Sequence, residues 1–209
     1  MKIAIIGVGN VGAQLANAAR GAGHEVVLSA TTADKAAKVA ADAGVQAAAS
    51  NIEAVQGADV VVLAVPWGAA HTVTAEIAAA VGTGIIVDAT NPLKPDFSGL
   101  ATGERSGAEE LQDQAPNVRF VKAFNTVFAG NLNTPVADGV QMDGFLAGND
   151  AAAKKEVSEL LSGIGFRPID AGALSAARAL EQLAFLNISL NAANGWSWQS
   201  AWKLAGPTG

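Results

Sequence analysis

There is no cysteine in the 209-residue sequence. That excludes disulfides, thiolate catalysis and cysteine-ligated metals. Tyrosine is absent too, and the only histidines are His24 and His71, so no histidine-based metal site is expected. Charge is sparse: charged residues make up 15% of the chain, and the formal net charge is −6. An acidic chain is a poor partner for nucleic acid or an anionic membrane surface. No apolar run reaches the length of a membrane span. The short run after Met1-Lys2 is broken at Gly7, so it reads as a strand rather than a signal segment. The expected setting is cytoplasmic, with neither a nucleic-acid nor a membrane partner.

What is present is an ordinary core. Hydrophobic residues make up 50% of the chain, and its length suits one compact α/β unit or a domain with a smaller lobe. The organising stretch is N-terminal. Lys2 to Ile6 is a short apolar run, Gly7-Val8-Gly9-Asn10-Val11-Gly12 follows at once, and a helical pattern runs from Asn10 to Arg20. Between a strand and a helix, a G-x-G-x-x-G has a physical task. Gly7 allows the tight turn, Gly9 lets the backbone approach a pyrophosphate, and Gly12 lets the helix pack close to the strand. The helix N-terminus adds free N–H groups and a partial positive charge for the phosphates.

Further strands are expected at Val26 to Ser29, Val45 to Ala48, Asp59 to Val65, Gly84 to Asp88, Val118 to Ala123, Gln141 to Ala147 and Phe166 to Asp170. Helices are expected over Thr31 to Ala43, Asn51 to Gln56, Ala69 to Ala80, Ala108 to Gln114, Ala151 to Leu161 and Leu174 to Asn194. The last is apolar on most faces and therefore expected to be buried. Lys94 to Gly107, rich in Gly and Pro, reads as a long loop. Alternating strands and helices predict an α/β fold with a doubly wound, mostly parallel Rossmann sheet. Its ligands sit where the strand C-termini line one edge.

The loop after the second strand selects the nucleotide. NAD binders usually place an acid there, about 20 residues past the glycines, to read the ribose 2′-OH. Here the loop is Ser29-Ala30-Thr31-Thr32, and the nearby Asp34 reads as a helix-start charge. A 2′-phosphate meets no repulsion, and Ser29, Thr31, Thr32, helix N–H groups and Lys35 can hold it. NADP is therefore favoured over NAD.

Other edge loops supply candidates. In Ala64-Val65-Pro66-Trp67, Trp67 either packs on the nicotinamide side of the cofactor or covers the end of the sheet. Asn91, in Thr90-Asn91-Pro92-Leu93, is a binding candidate or a turn residue. Ala123 and Asn125 stand where a nicotinamide carboxamide needs donors and acceptors, while strand alternation points Lys122 away from the loop. Arg178 is read either as half of an ion pair or as a substrate contact. The tail tryptophans, Trp196, Trp198 and Trp202, suit a dimer face or core packing. No catalytic acid–base constellation emerges. Hydride transfer between two bound carriers needs positioning more than proton transfer, whereas reduction of a small carbonyl or imine normally needs a proton donor. That alternative, with Lys122 as donor, stays open, as does a non-enzymatic NADP-binding module.

The chain resembles the NADPH-dependent deazaflavin (coenzyme F420) reductases, a group that includes the reductase domains of the STEAP metalloreductases. The resemblance covers nearly the whole length. It rests on Ile5-Ile6-Gly7-Val8-Gly9-Asn10-Val11-Gly12, Gly23-His24-Glu25-Val26, Ala64-Val65-Pro66-Trp67 and Asp88-Ala89-Thr90-Asn91-Pro92-Leu93. It continues in Val121-Lys122-Ala123-Phe124-Asn125-Thr126 and Arg167-Pro168-Ile169-Asp170-Ala171-Gly172-Ala173-Leu174. The resemblance implies a Rossmann domain over residues 1–127 and a smaller C-terminal α/β lobe over 128–209, commonly as a homodimer. It implies NADP as cofactor, coenzyme F420 or a flavin as second substrate, and cofactor contacts at Val8, Gly9, Asn10, Val11, Val65, Pro66 and Ala123. In one respect the chain departs from the family. The 2′-phosphate loop commonly carries arginine after serine, but here it reads Ala30-Thr31-Thr32, so the NADP preference rests on Thr31, Thr32 and Lys35.

Overall fold

A computed structural model describes residues 1–206. Strand β1 (Lys2–Ile6) runs through the glycine loop into helix α1 (Asn10–Gly21). Then come β2 (Glu25–Ser29), α2 (Ala33–Ala43), β3 (Gln46–Ala47) and a short α3 (Asn51–Val55). The chain continues with β4 (Val60–Leu63), α4 (Trp67–Val81) and β5 (Ile85–Asp88). An irregular stretch leads to α5 (Gly107–Gln114) and β6 (Arg119–Ala123). The remainder holds β7 (Val136–Ala137), β8 (Val140–Gln141), β9 (Asp143–Gly148), α6 (Ala151–Ile164), β10 (Arg167–Asp170) and α7 (Ala177–Asn194).

Eight strands form one sheet in the order β10-β9-β6-β5-β4-β1-β2-β3. All pairings in it are parallel except β6 with β9. The chain winds outward from β1 through β2 and β3, then returns to place β4 on β1's other side. The crevice at that switch point, beyond the ends of β1 and β4, is where such sheets bind ligands.

Helices cover both faces, so the central strands are mostly apolar, and β4 is apolar throughout. Strand alternation divides β4: Val60 and Val62 join the core beneath α1, α2 and α6, while Val61 and Leu63 join the one beneath α3, α4 and α5. Side-chain caps fix the helix starts that the sequence signals: Thr32 accepts from the Lys35 N–H (3.3 Å), and Ser106 and Glu109 form a capping box.

Three features differ from the sequence expectation. The segment after residue 127 adds β9 and β10 to the main sheet, so the expected lobe shares that sheet with residues 1–127. The β7–β8 hairpin was not anticipated. Its turn, Asp138-Gly139, has positive φ at both residues (50° and 77°), the geometry that Asp-Gly favours. Finally, α7 is not buried all round. It buries one stripe, which includes Glu181, Asn187 and Asn191, and leaves Leu186 and Leu190 48% and 36% exposed. The apolar count was right, but the polar residues face inward because they have partners there.

Candidate nucleotide site

The glycine loop has the geometry its spacing predicts. Gly7 takes φ +105°, and its N–H donates to the Ser29 carbonyl at 3.0 Å. A Cβ on Gly7 would stand 2.4 Å from the Ala64 carbonyl oxygen, and one on Gly12 only 1.9 Å from that of Gly7. Those two glycines allow strand, loop and helix to close on one another. Gly9 is different, because a Cβ there would meet nothing within 4 Å. Its missing side chain keeps open the space a pyrophosphate would take. The first intrahelical bond of α1 runs from the Ala13 N–H to the Gly9 carbonyl (3.0 Å), so the preceding N–H groups are free for an anion. No acidic side chain stands in that first turn to compete.

A cavity of about 210 Å³ opens beside this loop at the switch point. Gly7, Val8 and Gly9 line it on one side, Ala30, Thr31 and Lys35 on another, and Ala64, Val65 and Pro66 on a third. No carboxylate lines it. A larger depression of about 620 Å³ lies by the α5–β6 turn, at the N-terminal end of β6 and away from the loops that follow the parallel strands.

Asn51, Ala69 and Val73 also line the cavity and were not among the sequence candidates. Asn51 begins α3 behind a Ser50 cap, so it reads from sequence only as a helix start. Ser29, a candidate for phosphate, is fully buried, and its hydroxyl donates to Asn51 Oδ1 at 2.7 Å. That proton is therefore committed to Asn51. Thr32 Oγ1 caps α2; of the exposed polar residues that follow β2, Thr31 and Lys35 line the cavity, while Asp34, also exposed, does not.

The loops after β5 and β6 are fastened to each other. Asn125 Nδ2 donates to Asn91 Oδ1 (3.0 Å) and to the Leu180 carbonyl (3.0 Å), while Asn91 Nδ2 donates to the Asn125 carbonyl (2.9 Å). Phe124, buried, takes φ +65° to turn the chain there, a conformation that costs a non-glycine residue about 1 kcal/mol or more. Thr90 Oγ1 and Asn125 Oδ1 are buried polar atoms without a protein partner. Trp67 opens α4 and turns to the other face, against Gly107 and edge-on to His71 with ring centroids 5.0 Å apart. Its ring packs, half-buried, against the core under α4 and α5 and does not line the cavity.

Beneath these loops lies a fully buried charge cluster. Lys122 Nζ donates to Asp88 Oδ2 (2.8 Å), the Thr90 carbonyl (2.7 Å) and Glu181 Oε1 (2.9 Å). The other Glu181 oxygen accepts from the Gly107 N–H at 3.1 Å. Burial alone would lower the Lys122 pKa, but the two carboxylates outweigh it and raise it; burial raises that of Glu181. Charged, and with all three protons committed, Lys122 has none to give a substrate. Neither histidine lines the cavity: His24 lies against the N-terminal amine, and His71 against Gln114 and Glu110. Arg178 finds a main-chain partner rather than a carboxylate, donating to the Glu104 carbonyl.

The chain matches the family described as NADP oxidoreductase coenzyme F420-dependent over residues 2–92. It is 35% identical to the F420-dependent NADP reductase of Methanothermobacter thermautotrophicus, over 93% of this chain and 90% of the relative. The chain belongs to the F420-dependent NADP reductase family. A solved structure of a candidate F420-dependent NADP reductase from Arthrobacter sp. FB24 is 33% identical, with a TM-score of 0.86, over 99% of this chain and all of that one. Metalloreductase STEAP3 of Rattus norvegicus is 29% identical over 87% of this chain but only 36% of its own length.

For a member of this reductase family, the second cleft is placed informatively. Asn10 and Gln14 of α1 face Phe128, Ala129 and Gly130 from the stretch after β6, and Ser197, Trp198 and Gln199 from the tail, around a space of about 520 Å³. Phe128 and Trp198 meet edge-to-face with centroids 5.5 Å apart. Asn10 thus faces this second cleft, while Val8 and Gly9 face the first. Val11 is half-buried in α1, against the core under that helix, and Ala123 is fully buried at the end of β6.

Proposed function

We propose that this chain is an NADP-dependent oxidoreductase that transfers hydride between NADPH and coenzyme F420. One observation carries the NADP half of that reading. The cavity joins an intact glycine loop to Thr31 and Lys35 with no carboxylate in its lining. A 2′-phosphate would meet a cation and a hydroxyl there, and no like charge. The F420 half rests on the named function of relatives that match this chain along almost their full length.

Bound NADPH would supply the hydride. The protein's part is to position it, since Lys122 has its protons committed and neither histidine lines the cavity. Gly9 and the start of α1 would hold the pyrophosphate. Asn91 would hold Asn125 in place, and the unpartnered Asn125 Oδ1 would meet the carboxamide. The acceptor ring would enter the cleft walled by Phe128 and Trp198, with residues 1–127 carrying the dinucleotide and 128–209 the opposing wall. The committed protons of Lys122 weigh against the carbonyl or imine alternative. The exposed stripe of Leu186 and Leu190 on α7 suits a second copy of the chain, and light scattering would test that dimer. Among the described residues, no helix is long and apolar enough to cross a membrane. A fluorescence titration tests the NADP reading: tighter binding of NADPH than NADH supports it, and equal binding contradicts it.

A further inference from the structure

The cavity beside the glycine loop ends at an amide whose orientation is fixed from both sides. Ser29 Oγ donates to Asn51 Oδ1 (2.7 Å), and Asn51 Nδ2 donates to Glu76 Oε2 (2.8 Å). A carboxylate only accepts, so the NH₂ end must face Glu76 and the carbonyl end must face Ser29. The three residues come from different elements: the end of β2, the start of α3 and the middle of α4. Each bond uses one proton or one lone pair of the amide. One N–H and one lone pair are left on a side chain that lines the cavity.

The walls of that end are apolar. Ala30 lies on one side, and Val65, Pro66, Ala69 and Val73 on the other. Such a slot takes a flat ring. A dinucleotide with its pyrophosphate at Gly9 and its 2′-phosphate at Thr31 and Lys35 would extend its purine into the slot. Adenine carries its amino group beside a ring nitrogen, a neighbouring donor and acceptor that an asparagine amide matches in a bidentate pair.

We propose that Asn51, oriented by Ser29 and Glu76, reads the adenine of the dinucleotide and so sets base specificity at this site. The inference rests on the NADP reading above. Hypoxanthine replaces the amino group with a carbonyl, so whichever edge is read it turns an acceptor toward Asn51 Oδ1 where adenine offers a donor; on the edge that carries N1 it protonates the adjacent nitrogen as well.

The test compares binding of NADPH with its hypoxanthine analogue, followed by nicotinamide fluorescence. The wild-type protein is expected to prefer NADPH by about tenfold, the size of one good polar discrimination. In Asn51→Ala that preference should fall to near one, through loss of NADPH affinity and with little change for the analogue. Removing Asn51 also strips the buried Ser29 hydroxyl of its partner and can harm the fold, so Glu76→Ala is the second variant. Glu76 is exposed, and its loss frees the amide to rotate, which should reduce the preference severalfold. Equal binding of both nucleotides by the wild type, or an unchanged preference in both variants, would overturn the proposal while leaving the NADP reading intact. Failure of the wild type to bind either nucleotide would overturn both.

Discussion

Lys122 Nζ lies 2.9 Å from Glu181 Oε1, and neither side chain is exposed to solvent. The pair ties α7 to the sheet directly beneath the loops after β5 and β6, and Asp88, which is Lys122's partner in the β5–β6 register, completes it. Breaking a buried ion pair leaves an uncompensated charge, which costs about 3–5 kcal/mol. Glu181→Ala and Lys122→Ala should each lose that much in urea denaturation. The raised lysine pKa means this contribution is fully present below the ordinary value of 10.5 and is lost only as pH climbs through the folded one. Whatever folded Lys122→Met can be recovered should turn over with an unchanged pH profile. A well-folded variant with a large loss of kcat and a shifted profile would restore the proton-donor reading.

The tail has its own anchor. Asp143, on β9, accepts from Arg167 Nε (2.7 Å), Lys203 Nζ (2.9 Å) and the Leu204 N–H (2.7 Å). Burial would raise its pKa, but these donors prevail and hold it down to about 2, against 3.8 ordinarily. Its contribution, about 2 kcal/mol, is present above the ordinary value and lost as pH falls through the folded one. Wild-type stability should therefore decline from pH ~4 toward pH ~2. Asp143→Asn should lower stability at neutral pH and flatten that acid limb; an unaltered limb would show that the anchor contributes little.

Two glycines separate folding from binding. Gly12→Ala pushes a methyl into the Gly7 carbonyl and should yield little folded protein. A Cβ at Gly9 meets nothing within 4 Å, so the melting temperature of Gly9→Val should stay close to wild type while NADPH binding is lost. Normal NADPH affinity in folded Gly9→Val would place the pyrophosphate elsewhere.

Lys35 is the cation of the cavity lining. Lys35→Ala should weaken NADPH binding about tenfold, or about 1.4 kcal/mol, and leave NADH almost unchanged. Equal effects on the two nucleotides would remove the 2′-phosphate from this end of the cavity.

The fold was legible where one residue pattern had one physical meaning. The β-branched run Val60 to Leu63 can only be a strand covered on both faces, and Gly7 to Gly12 can only close a tight strand–loop–helix turn. The Asp138-Gly139 signal was present, but two-residue strands leave almost no pattern around it. What sequence could not show were partners distant in the chain. Asn51 looks like the first residue of a short helix until Ser29 and Glu76 are brought to it. Glu181 lies on an apolar helix, and only the crossing of β6 beneath it explains its burial. The inward-facing Asn187 and Asn191 fix the tail, through Ser200 and the Trp198 N–H, for a similar reason.

The most direct test of the account is steady-state oxidation of NADPH and NADH by the purified protein, with coenzyme F420, FMN and FAD each offered as acceptor. The account predicts rapid reduction of coenzyme F420 by NADPH, with NADH far slower. Failure of coenzyme F420 to accept hydride from NADPH, or equal rates with NADH, would contradict it.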